Sequence, residues 1–447
     1  MNLLFKKLKP APHLPEIANT AIVKEKYNYW RIRILYSMFI GYAFYYFSRK
    51  SFVFAMPGIM QELQLDKSQL GIVSSIFALT YGISKFASGV LSDQSNPRYF
   101  MAFGLICSGI LTIFVGFSSS LYLFAILWGL NGWFQGFGSP PCVRLLSHWY
   151  SHSERGSWWS SWTVSQNVGA FLIPWIAGIC LHYYNWQLAM FAPGLLCILG
   201  GFFLINRLAD TPQSLGLPPI EKFRNDYISQ KRNDHEEEEL STRSLLLSVL
   251  KNKCIWILAV AYFFIYTVRV GIESWTALFM IESEGYTPIY ACGLVSLFEV
   301  GGFFGGLSVG WISDRLFNAK RGPVNALFAI VLLVSILSFW SMPKGCAWLN
   351  SSVMFIIGFA TFGPQMLIGI AVTELAHKKA SATANGFAGW VAYIGAASAG
   401  FPLGKIIDYL GWKGFFLSMI LCSGISITLL LWSMTFSLKK EMSQISP

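Results

Sequence analysis

Charge is scarce in this 447-residue sequence: Asp, Glu, Lys and Arg make up 12% of it, against 54% hydrophobic residues. A large soluble α/β protein with a fatty core should carry about twice that charge fraction, so the composition argues against that class and places the chain in a bilayer. Cysteine pairs with metal-ligand spacing are missing too. The eight cysteines, at 107, 142, 180, 197, 254, 292, 346 and 422, form no C-x-x-C pair and fall within or beside apolar runs. They read as small buried hydrophobes, and neither a disulfide nor a metal framework is expected. The N-terminus, 1-MNLLFKKLKPAPHLPEIANT-20, has Lys6, Lys7 and Lys9 but no long apolar stretch before its prolines, so a cleavable signal peptide is not expected. His148, His152 and Glu154 share one loop without the partner set that a membrane phosphatase would need. The sequence therefore predicts no enzyme and no cofactor. The net charge of +11 has no basic cluster alternating with exposed aromatics in a soluble segment, which disfavours nucleic acid as a partner.

Long apolar runs are abundant. A span of the bilayer needs roughly 20 apolar residues, and such runs occur near 31–56, 69–91, 99–117, 121–143, 160–182, 187–206, 254–281, 289–312, 323–342, 347–372, 381–404 and 412–436. The fold class expected is an all-α integral membrane protein with twelve transmembrane helices in two six-helix halves, 31–206 and 254–436. An N-terminal arm (1–30), a polar linker (207–253) and a tail (437–447) complete the chain. The linker holds 212-PQSLGLPP-219 and the acidic run 234-DHEEEEL-240, and reads as a solvated connector. Loops numbered from an inside N-terminus carry 25 Lys and Arg on the inner side and four, Lys67, Lys344, Lys405 and Lys413, on the outer. That bias predicts cytoplasmic termini and a cytoplasmic linker. Four cations remain for the membrane itself: Arg49, Lys50, Lys85 and Arg269.

The halves read as a duplication. The pentapeptide 89-GVLSD-93 returns as 310-GWISD-314 with an offset of 221, and 186-WQLAMF-191 returns as 412-WKGFFL-417 with an offset of 226. The same shift carries Arg49, in 42-YAFYYFSRKSF-52, close to Arg269, in 265-IYTVRVGI-272, since these two lie 220 apart. An arginine at the bilayer centre costs about 2.5–3.5 kcal/mol on insertion scales, so two that match across a repeat mark function. In a two-fold arrangement of halves they would face each other across the central axis, where parallel-repeat transporters hold substrate near the midplane. Two guanidinium forks suit a small, doubly charged, tetrahedral anion such as phosphate or a phosphomonoester; sulfate or a dicarboxylate fits less specifically.

Eight stretches, 41-GYAFYYFSRKSF-52, 81-YGISKF-86, 92-SDQSNPR-98, 131-NGWFQGFGSPPC-142, 153-SERG-156, 262-YFFIYTVRVGIESW-275, 363-GPQMLIG-369 and 386-GFAGWVAYIG-395, resemble the organophosphate:phosphate antiporters of the major facilitator superfamily. The likeness covers nearly the whole chain and looks nearest to the hexose-6-phosphate transporter and receptor branch. It implies exchange of a sugar phosphate for inorganic phosphate by a monomer in the bacterial inner membrane. It also implies that Arg49 and Arg269 are the phosphate ligands, with Lys50, Lys85, Tyr42, Tyr46, Tyr81, Tyr266 and Tyr393 lining the pocket. Glycerol-phosphate members typically carry His where this chain has Gln166 and Trp where it has Ser139. Those departures favour glucose 6-phosphate or another hexose 6-phosphate over glycerol 3-phosphate. A receptor that senses hexose phosphate without moving it is the rival expectation.

Further charged residues have expected roles in gating. Asp93 and Asp314 are expected to make charge contacts with Arg98, Arg155 or Arg315 at the cytoplasmic ends. Glu273, four residues after Arg269 on the same helical face, is a candidate counter-ion, and Glu299 could pair with a membrane cation or a proton. Gly302, Gly306 and Gly310 share one face, as do Gly132 and Gly136, and are expected to permit close helix approach.

Overall fold

In the computed structural model, residues 8–226, 242–317, 321–376 and 381–445 are described. They form helices and short turns, with no strand among them. The acidic run 234–240, Lys6 and Lys7 lie outside the described residues.

Every predicted span falls in helix. Helices α1 (Thr20–Leu63), α2 (Lys67–Asp93) and α3 (Pro97–Gly116) carry the first three. The fourth is divided between α4 (Leu121–Gln135) and α5 (Ser139–Trp149). Helices α6 (His152–Tyr183) and α7 (Trp186–Arg207) complete the N-terminal set, and the short α8 (Ile220–Arg224) and α9 (Thr242–Lys251) follow in the linker. The seventh to tenth spans are α10 (Lys253–Glu282), α11 (Pro288–Leu316), α12 (Arg321–Trp340) and α13 (Ala347–Leu375). The eleventh begins as α14 (Ser381–Ser398) and runs on into α15 (Phe401–Ile445), which turns at Gly411, where φ is 64°, into the twelfth. The protein is thus an all-helical, multi-pass membrane protein.

The break in the fourth span has a local cause. Pro140 and Pro141 open α5 and lack backbone donors, so α4 cannot run on through them. Gly136, at the break, lets Ser84 approach: a Cβ there would overlap the Ser84 side chain. Ser88 Oγ donates to Gly136 O at 2.6 Å and Ser84 Oγ donates to Trp133 O, which ties α2 to the end of α4.

The chain divides into two compact units. One comprises residues 1–52, 80–176 and 187–237; the other comprises 53–79, 177–186 and 238–447. In the first unit, the start of the linker is packed, where the sequence reads the whole of 207–253 as solvated. Leu208, Asp210, Leu217 and Ile220 are buried there. The carboxylate of Asp210 supplies the reason: it accepts from Ala11 N at 2.8 Å and pairs with Arg144 at 3.1 Å, while its carbonyl takes the Trp149 indole N–H at 3.1 Å. The Tyr27 hydroxyl donates to Pro218 O, and burial, reinforced by the charge of Glu221, pushes its phenol above the usual range so that it remains a donor.

In the second unit, Asp408 accepts from the backbone N–H groups of Lys67 and Ser68 at 3.2 and 2.7 Å, the position at which a carboxylate meets the positive end of a helix. The ammonium of Lys67 reaches Glu282 at 3.0 Å. Close helix contact in this unit uses a different glycine face from the expected one. Gly301 and Gly305 lie against the backbone of Phe355 and Phe359, and Gly358 lies against Phe298, where a Cβ would overlap main-chain atoms. Gly302 and Gly306 face the side chains of Phe362 and Met366, and Gly310 has open space. The i, i+4 spacing was legible in sequence, but two faces of α11 share it and only packing against α13 separates them.

Candidate functional site

Each unit contains one membrane arginine with its own ring of partners. In the first, Arg49 lies within α1 one turn after Tyr46. Its guanidinium carbon sits 4.5 Å from the Tyr46 ring centre and 4.4 Å from that of Tyr81 on α2. Cations over aromatic faces gain about 2 kcal/mol or more when desolvated. Arg49 Nε also donates to Gln135 Oε1 at 3.2 Å. Tyr46 turns its hydroxyl to Gln166 Oε1 at 3.2 Å, and its ring meets Tyr42 edge-on at 5.7 Å. Tyr42 in turn lies 5.0 Å from the Trp162 ring. The structure therefore brings Arg49, Tyr42, Tyr46, Tyr81 and Gln166 together. It adds Gln135 and Trp162, which sequence reasoning missed. Lys50 is half-buried beside Arg49, Ser139 is half-buried at the first position of α5, and Lys85 is exposed one turn along α2 from Tyr81.

The second unit repeats the arrangement with changes. Arg269 lies in α10 one turn after Tyr266, with its guanidinium carbon 5.8 Å from the Tyr266 ring and 4.3 Å from Phe362 on α13. Arg269 Nη1 donates to Gln365 Oε1 at 2.6 Å, and Nε donates to Glu273 Oε1 at 3.1 Å. Glu273 is 4% exposed, so this ion pair is buried and removing one partner would strand the other charge. Tyr266 also touches Tyr262 at 4.9 Å and Tyr393 at 5.7 Å. Arg269, Glu273, Tyr266 and Tyr393 thus form one cluster. Glu299 is buried on α11. Gln365 and Phe362 were not read from the sequence, although the tyrosine three residues before each arginine shows the same 220-residue offset as the arginines themselves.

The charge contacts expected of Asp93 and Asp314 are corrected. Arg144, not Arg98, Arg155 or Arg315, serves the first motif: it donates to Ser92 O at 3.1 Å and to Asp93 O. The Asp93 carboxylate is exposed. Arg98 donates to Ile205 O, and Arg155 to Ser147 O and Tyr150 O. In the second motif Asp314 pairs with Arg321 at 2.5 Å, and Arg321 also reaches Glu374 at 3.4 Å; Arg315 is exposed. The physical reason is geometric. A side chain on another helix, Arg144 on α5 or Arg321 on α12, reaches the helix end, whereas Arg315 follows Asp314 directly on the same turn and is exposed.

Comparison with known proteins settles the family. The Major Facilitator Superfamily profile matches residues 38–400. The chain belongs to that superfamily, in its organophosphate:phosphate antiporter branch. It is 54% identical to a probable hexose phosphate transport protein of Chlamydia pneumoniae, over 97% of this chain and 98% of that one. It is 46% identical to the membrane sensor protein UhpC of Salmonella typhimurium, over 95% of this chain and 96% of that one. A bacterial homolog of the human lysosomal transporter Spinster, solved inward-facing and unoccupied, shares the fold with a TM-score of 0.70 at 15% identity, over 91% of this chain and 96% of that one. Superfamily membership accounts for the duplicated arginine clusters, since the fold is built from two repeats.

Proposed function

We propose that this protein is a secondary transporter that takes up a hexose 6-phosphate, glucose 6-phosphate first, in exchange for inorganic phosphate. Arg49 and Arg269 are its phosphate ligands; Lys50, Lys85, Tyr42, Tyr46, Tyr81, Ser139, Gln166, Tyr266 and Tyr393 line the sugar-phosphate pocket. The observation that carries the reading is the pair of repeat-related arginines, each set over aromatic rings within a membrane helix and held by a neutral carboxamide. A guanidinium keeps its charge when desolvated and presents a planar fork that matches phosphate oxygens. Likeness to a hexose phosphate transport protein supports the substrate class. The absence of His at Gln166 and of Trp at Ser139 supports a hexose over glycerol 3-phosphate.

In this reading the halves 31–206 and 254–436 rock in the inner membrane, with both termini cytoplasmic and the monomer as the working unit. An anion neutralises cations that would otherwise stand bare in a low-dielectric space, so the return step is slow without cargo and exchange follows. Glu273 supplies part of that compensation at Arg269 when the anion leaves. Asp93, Arg98, Asp314, Arg315 and Glu299 belong to the moving ends and helix contacts of the cycle.

The test is counterflow in proteoliposomes loaded with inorganic phosphate, comparing glucose 6-phosphate with glycerol 3-phosphate. Rapid uptake that needs internal phosphate and prefers the hexose is expected; equally rapid uptake into phosphate-free vesicles would sink exchange. A second reading, a receptor that senses hexose phosphate, is favoured by the likeness to a membrane sensor protein. Vesicles containing only this protein separate the two, because a receptor would bind labelled glucose 6-phosphate without accumulating it.

A further inference from the structure

Each membrane arginine donates to one glutamine, and the two glutamines come from the fourth and tenth spans, which correspond in the six-helix repeat. Gln135 closes α4 and accepts from Arg49 Nε at 3.2 Å; Gln365 lies within α13 and accepts from Arg269 Nη1 at 2.6 Å. Their sequence offset is 230, not the 220 that relates the arginines, so a single shift along the sequence does not align them. Only the fold sets them in equivalent places.

We infer that Gln135 and Gln365 are a repeat-related pair of positioning residues, which fix the rotation of the two guanidiniums without themselves neutralising their charge. The inference rests on the phosphate reading above. Gln135 is suited to the task because it is itself fixed: it is 1% exposed, and its Nε2 donates to Ser48 Oγ at 2.6 Å on the same helix as Arg49. That bond leaves Oε1 as the atom turned to the arginine. A carboxamide oxygen accepts from the guanidinium without cancelling its charge, whereas a carboxylate in its place would form an ion pair and compete with phosphate. Orientation matters because a planar fork binds two oxygens only when it faces them.

The experiment uses the purified full chain, with inorganic phosphate as the probe for thermal stabilisation, and glucose 6-phosphate counterflow against internal phosphate in proteoliposomes. Gln135→Glu and Gln365→Glu keep the shape and add charge; Gln135→Met and Gln365→Met keep the length and remove the acceptor. We expect each Glu variant to raise KM at least about tenfold and to lose most of the phosphate-induced stabilisation, with its phosphate-free Tm unchanged. Each Met variant raises KM by about three- to fivefold, a smaller loss because charge is retained. A packing role alone would lower the phosphate-free Tm and leave KM of the folded protein as it was. Wild-type exchange accompanied by an unchanged KM in all four variants overturns this assignment and leaves the phosphate reading standing. A wild-type protein that neither exchanges nor is stabilised by phosphate overturns both.

Discussion

Arg49 and Arg269 are the same residue in the two copies of a duplicated unit, yet the residues matched around them differ. Arg49 lies by the rings of Tyr46 and Tyr81, both with hydroxyls, and donates to the neutral Gln135. Arg269 lies by Tyr266 and the hydrocarbon ring of Phe362, and alongside Gln365 it has the carboxylate of Glu273 at 3.1 Å. Position 53, which corresponds to Glu273 by spacing, is valine. The duplication has kept the tyrosine one turn before, the arginine and the carboxamide, and has diverged at the position four residues after the arginine. The carboxylate four residues after Arg269 thus has no counterpart at the matching position after Arg49, and under the proposed function Glu273 partly compensates Arg269 before any substrate arrives.

The largest expected effect comes from erasing what the two clusters share. Arg49→Lys and Arg269→Lys should each lower Vmax/KM for glucose 6-phosphate counterflow by about a hundredfold or more, because an ammonium cannot reproduce the bidentate fork. Retained transport in both would remove the central claim. The next effect comes from exchanging what differs. Glu273→Gln should tighten phosphate binding by about three- to tenfold and slow exchange, because Arg269 loses its internal competitor; Val53→Glu should weaken binding by a similar factor. Binding by phosphate-induced thermal stabilisation and exchange by counterflow report these separately, and equal responses of the two variants would deny the asymmetry. Smaller still is Tyr46→Phe, which loses the bond to Gln166 but keeps the ring under Arg49; about a twofold rise in KM is expected, against a clearly greater loss for Tyr46→Ala. The smallest effect on transport affinity should come from Asp408→Asn, far along the chain from both clusters. It weakens the cap on α2 by about 1 kcal/mol, read as a lower Tm with KM retained.

Much of the architecture was legible because the bilayer imposes a length on every span and turns composition into topology. The repeat was visible in 89-GVLSD-93 and 310-GWISD-314, and it alone related Arg49 to Arg269. Gln135 and Gln365 were not legible: an uncharged polar residue in an apolar run carries little signal, and their offset breaks the repeat's register. The partners of Asp93 and Asp314 escape the sequence for a similar reason. Arg144 comes from α5, 51 residues from Asp93, and Arg321 from the start of α12 across a helix boundary, where no local spacing rule applies. The linker held the same lesson, since Asp210 gains its three partners from Ala11, Arg144 and Trp149.

The sequence by itself determined that this chain crosses a membrane many times and which four cations fall within its apolar runs, because burying charge and backbone in hydrocarbon is costly enough to constrain every residue in the run. Tertiary structure decided how those cations are held. It chose the aromatic faces and carboxamides around Arg49 and Arg269, selected the glycine face of α11 that meets α13, and docked the first part of the linker. These choices depend on contacts of a few ångströms between residues tens to hundreds of positions apart, and a one-dimensional pattern does not encode distances of that kind.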